Sequence, residues 1–77
     1  MRHIAKIPFE QIENNIKWLL IEPHVHDGIV VGYYLFHHQE LNEPCESDTW
    51  FEKLEFAKQS AFEDYGIIES DWILKEN

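Results

Sequence analysis

This chain is poor in the residues that staple, punctuate or loosen small proteins, with one Cys, three Pro and three Gly among 77 residues. A lone Cys45 cannot close an intrachain disulfide, so the expected compartment is a reducing cytoplasm. The three glycines, Gly28, Gly32 and Gly66, are too few and too dispersed to build a phosphate-cradling loop. The longest apolar run, Ile29 to Phe36, is interrupted by Gly32 and two Tyr and is far shorter than the ~20 residues a spanning helix needs. No membrane span is expected, and no basic start leads into an apolar segment as a secretory leader would.

Basic residues are scarce as well. Six Lys and Arg face fifteen Asp and Glu, for a formal net charge of −9. The imbalance is uneven: Met1 to Lys17 sets Arg2, Lys6 and Lys17 against Glu10 and Glu13, for +1, and the rest carries −10. Such a field repels a phosphate backbone and attracts basic protein surfaces, so the expected partner is a protein and not a nucleic acid. The same charge serves solubility.

What the chain does have is bulk. It is 44% hydrophobic and 14% aromatic, with three Trp, three Tyr and five Phe, enough to fill one small core without staples. A second core could not be built from the remainder, so residues 1–77 are read as a single domain.

The periodicities predict an α+β protein. Residues 8–16 read as a short helix, with Pro8 at a first helical position and Phe9, Ile12 and Ile16 recurring at three and four residues. Residues 17–38 read as an antiparallel hairpin turning on Asp27-Gly28, a favoured two-residue turn. With that turn, paired residue numbers sum to 55. Leu19, Ile21, Val25, Val30, Tyr34 and Phe36 then share the expected core face; Trp18, Leu20, Glu22, His24, His26, Val31, Tyr33, Leu35 and His37 share the other. A slip of one residue would exchange the sets. Gly32, inside the strand, marks a bulge or a close aromatic contact.

Residues 39–47 form an acidic loop with Glu40, Glu43 and Glu46 and no basic residue. The main helix is expected over about 49–65, with Thr49 to Glu52 as a capping box, a stripe of Leu54, Ala57, Ala61 and Tyr65, and Gly66 as the left-handed stop. An alternative start keeps Asp48 to Phe51 as a third short strand and begins the helix near Glu52. A turn over 69–73 would fold Trp72 back, and Leu74 to Asn77 should fray. The small sheet and the helix stripe need each other for burial.

Candidate chemistry is thin. His24 and His26 lie near the expected turn and His37 and His38 at the far end, ~20 Å away at ~3.3 Å per residue, so they do not form one metal site. Each pair would need a nearby carboxylate, Glu22 or Asp27 for one and Glu40 for the other. Cys45 lies between Glu43 and Glu46, whose charge opposes a thiolate. No catalytic residue, cofactor or metal ligand is assigned, and the chain reads as a non-enzyme.

The stretch Asp48-x-Trp50-Phe51-x-x-Leu54-Glu55-x-Ala57-Lys58-x-x-Ala61-x-x-Asp64-Tyr65-Gly66-Ile67, followed by Trp72, resembles a recurring pattern in small, largely uncharacterised bacterial hairpin-plus-helix proteins. The resemblance covers about Gly28 to Trp72. It implies an aromatic-bearing segment feeding an amphipathic helix that packs on a preceding hairpin, and it transfers no catalytic residue. Lys53 departs from the pattern, in which a small polar capping residue is commonest. In size and acidity alone the chain is similar to toxin-neutralising immunity proteins and phage-encoded inhibitors.

The functional expectation is an inhibitor or immunity-type binding module that docks on a basic protein, such as a toxin or effector. Glu40, Glu43, Glu46 and Asp48 would steer, and Trp18 and Tyr33 on the second sheet face would anchor. The alternatives are a homodimeric adaptor or regulatory subunit pairing through that face, and a histidine-dependent metal-binding protein.

Overall fold

Asp27 and Gly28 both adopt positive φ, 52° and 78°, as a two-residue turn of the primed type requires for its twist to match the strands it joins. The computed structural model describes residues 1–76. The turn joins β2 (Trp18–His26) to β3 (Ile29–His38). His26 pairs with Ile29 and Val25 with Val30, the register summing to 55, but one pair further on His24 faces Gly32. Val31 is an extra residue on β3, a β-bulge, and from there to Trp18 opposite His38 the numbers sum to 56.

That single residue overturns the expected faces of β3. Leu35 lies opposite Ile21 and Tyr33 opposite Pro23, on the side that carries Leu19. Tyr34 and Phe36, expected in the core, lie opposite Glu22 and Leu20 on the other side. Val25 and Val30, also expected in the core, are exposed. A bulge moves every later side chain of its strand to the opposite face.

The sheet is larger than a hairpin. β1 (Arg2–Lys6) pairs antiparallel with β2, and β4 (Ser47–Phe51) with β3. β5 (Ile73–Lys75) returns to pair with β1, giving five antiparallel strands in the order β4-β3-β2-β1-β5. Residues 73–75 are therefore ordered as an edge strand instead of frayed; Asn77 lies outside the described residues.

One helix, α1 (Leu54–Tyr65), covers one face of the sheet. It begins after Lys53 in an extended conformation, without a side-chain cap. The start at Thr49 gives way to the alternative reading: Asp48 to Phe51 lie in the strand β4, with Thr49 paired to Leu35, and the helix begins only at Leu54. Gly66 ends the helix at φ 70°, its N–H donating to Phe62 O at 2.9 Å and that of Ile67 to Ala61 O at 3.4 Å. This left-handed stop satisfies carbonyls that the last turn would otherwise leave open.

Ala57 and Ala61 are both fully buried against the sheet, with Ala5, Leu19, Ile21, Leu35, Ile67 and Trp72 around them. Two alanines let the helix approach closely, so a larger side chain has nowhere to go. Ala61→Leu is expected to destabilise by ~1–3 kcal/mol through overpacking, measured by urea denaturation; a neutral result would mean that the helix stands off the sheet.

The predicted N-terminal helix over 8–16 is absent. Only Phe9–Gln11 forms a 3-10 turn, and Asn14 and Asn15, at φ 54° and 64°, make a tight reversal with Ile16 N–H donating to Glu13 O at 2.9 Å. Asparagine tolerates left-handed backbone better than most residues. The reversal buries Ile16 and leaves Phe9 87% exposed, so the supposed apolar stripe is split.

Candidate functional site

With the helix on one side, the other face of the sheet is uncovered. Its central row runs Ile73, Ile4, Leu20, Phe36 and Asp48 across all five strands. Leu20 is buried within that row, and Phe36 is half-buried. On one side Trp18 and His38 pair, with the Lys6 ammonium 5.8 Å from the Trp18 ring centre. On the other side Arg2 meets Glu22 at 3.4 Å, and Tyr34 sits opposite Trp50. The rings of Tyr34 and Phe36 stack at 5.6 Å, and His24 adds to the row 5.1 Å from Tyr34.

Trp50 reaches furthest. From β4 its indole crosses β3 above Gly32 and donates Nε1–H to His24 Nδ1 on β2 at 3.1 Å. Any Cβ on Gly32 would overlap the indole, so this strand glycine exists to let a ring lie flat on the backbone. The acceptor role requires an unprotonated Nδ1 on His24, hence a neutral ring with its proton on Nε2. His38, buried at the far end, has the opposite tautomer when neutral, because its Nδ1 lies 3.1 Å from Glu43 O, which only accepts.

The acidic loop begins where β3 ends, beside Trp18 and His38. Glu40 is exposed and 3.5 Å from Lys17, while Glu43 and Glu46 are exposed without an ion pair among the described residues. Asp48, opposite Phe36, is exposed and closes the apolar row. Of the six predicted contact residues, Trp18, Glu40, Glu43 and Glu46 thus lie at one end of the uncovered face or in the loop that begins there, and Asp48 lies at the β4 edge of its central row. Tyr33 is not on this face: the bulge turns it to the helix side, where it packs on the core. Reasoning from sequence missed Tyr34, Phe36 and Trp50 on this face; Gly32 was the local signal for the last of them.

Two further places hold chemistry-bearing groups. Leu54, Lys58, Phe62, Ile67, Ile68 and Trp72 line an open groove of about 590 Å³ between α1 and the segment after it, bridged by Lys58 and Glu69 at 2.8 Å. Beneath the sheet, His3 is buried, with no hydrogen-bond partner for Nδ1 among the described residues. Burial first and the Lys58 ammonium second hold its pKa below the ordinary 6.5. An unfolded chain takes up that proton at 6.5 whereas the folded one resists it, so His3 removes stability as pH falls below 6.5. His3→Leu is therefore expected to flatten the acid limb of a stability–pH profile; a parallel profile would show that His3 carries no proton linkage. Tyr65 is shifted the other way, raised above 10 by burial and then by Asp64 and Glu13.

Cys45 is half-buried in the loop. Among the described residues, no three His, Cys, Asp or Glu side chains gather where they could hold a metal ion, and no helix is long and apolar enough to cross a membrane. Comparisons of the chain with family models, curated proteins and solved structures find no match.

Proposed function

We propose that this chain is a non-catalytic binding module of the inhibitor or immunity type, docking on a basic surface of a partner protein such as a toxin or effector. One observation carries the reading: an uncovered sheet face bearing Trp18, Tyr34, Phe36 and Trp50 ends beside a run of carboxylates, Glu40, Glu43, Glu46 and Asp48. Aromatic side chains on a rigid sheet lose little entropy on binding and supply most of the affinity of such interfaces. The carboxylates lie at the rim, where charge accelerates encounter and selects the partner without the cost of full desolvation. Tyr33 has no part in this surface, and Tyr34 and Phe36 take its place as anchors.

Affinity capture from extracts of the source cells tests the reading, comparing the native chain, the Glu40→Lys/Glu43→Lys/Glu46→Lys triple variant and Trp18→Ala. The native chain is expected to retain a basic protein that both variants lose. Equal recovery of that protein by the triple variant would overturn acidic docking.

A further inference from the structure

β4 closes one side of the sheet, and no strand lies beyond it among the described residues. It pairs with β3 continuously from Ser47 to Phe51 without a shift of register, and Ser47 to Trp50 are all exposed. Alternate residues of such a strand turn their N–H and C=O groups away from the sheet, which makes the edge a template for another extended chain. Proteins commonly blunt an edge with Pro, Lys or a bulge, and β4 has none of these.

What it carries instead is negative charge. From Gln39 to Glu52 the chain holds Glu40, Glu43, Glu46, Asp48 and Glu52 and no Lys or Arg. Asp48 sits within the strand, on the uncovered face with Trp50, while Glu46 and Glu52 flank the strand at its two ends; all three carboxylates are exposed. Opposite charges facing each other on paired strands are favourable and like charges are not. A second copy pairing here would set acid against acid, so the charge that shields this edge from its own kind selects a basic strand. The other edge is unsuited to the same strand, because β5 is three residues long, ends in Lys75 and lies beside Arg2.

We infer that a basic extended segment of the partner adds to β4 as a sixth strand, with Lys or Arg at alternate positions on the side of Asp48 and Trp50. In strand addition the backbone hydrogen bonds supply affinity and the alternating side chains supply specificity. The inference rests on the proposed basic partner and names how that partner is held. Lys53, just past Glu52, limits the added strand at that end.

The probe is an end-blocked peptide, Lys-Thr-Lys-Val-Lys-Thr-Lys, compared with two forms of the same charge, one N-methylated at its Lys residues and one at its Thr and Val residues. In an added strand only one of these sets of N–H groups faces β4, so one methylated form is expected to bind the native chain at least ~tenfold more weakly than the other. Amides of Ser47 to Phe51 are expected to gain protection from hydrogen exchange when the unmodified peptide binds. The Glu46→Lys/Asp48→Lys variant, altered only at exposed positions, is expected to lose the peptide with unchanged far-UV circular dichroism. Equal binding of the two methylated forms, binding without protection of those amides, or no binding of the unmodified peptide would overturn the inference. A peptide that fails while the native chain still captures a basic protein removes strand addition alone, whereas failed capture beside a bound peptide removes the docking reading and leaves the edge a site for basic strands.

Discussion

Leu35→Ala is expected to cost ~2–5 kcal/mol of folding stability, and Phe36→Ala, one residue further on, clearly less. Leu35 is 1% exposed at the centre of the sheet, opposite Ile21, so its removal leaves a cavity among core side chains. Phe36 is half-buried on the uncovered face, where its loss exposes part of Leu20 and one stacked ring but creates no enclosed void. Paired urea denaturation curves decide between the two registers. If Phe36→Ala proved the costlier change, the hairpin would run without the bulge at Val31 and the sheet faces would be exchanged.

The second large effect is expected at Gly32. A Cβ there overlaps the Trp50 indole, so Gly32→Val must drive the ring off the strand and break its bond to His24. The side chains of Ser47 to Trp50 are exposed and β4 is an edge strand held by its pairing with β3, so the displaced ring weakens that edge. The expected loss is ~1–3 kcal/mol, with red-shifted and quenched emission from Trp50, read against Trp50→Phe to isolate its signal. A Gly32→Val protein with native stability and emission would mean that the indole does not lie across β3.

Much of the fold was legible because its signals are local. Asp27-Gly28 dictates a turn by backbone preference, Gly66 stops α1 by the same means, and Leu54, Ala57 and Ala61 mark the buried side of the helix. What escaped depends on partners distant in sequence. β1 is cryptic because its inward residues are His3 and Ala5 and its Ile4 points to the uncovered face, the reverse of what hydrophobicity suggests. β5 is three residues long and exists only because β1 offers it an edge. Thr49 and Glu52 have the spacing of a capping box, yet pairing of Thr49 with Leu35 prevails.

The candidate site shows the same division. Trp18 and the acidic run from Glu40 to Asp48 could be read directly, as bulky and charged residues flanking a strand. The Tyr34, Phe36 and Trp50 row could not, because one bulged residue decides which side of β3 faces the helix, and the alternation of Tyr33 to Phe36 is equally apolar on both sides. Gly32 held the missing information in its absence of a side chain, which makes room for Trp50.

The central claim, that carboxylates steer a basic partner onto the aromatic sheet face, is tested most directly by stopped-flow association of the captured partner across a range of NaCl concentrations. The account predicts an association rate that falls steeply from low to physiological ionic strength for the native chain. For the Glu40→Lys/Glu43→Lys/Glu46→Lys variant it predicts a slower rate that salt scarcely lowers. A rate independent of salt and the same for both proteins would contradict it.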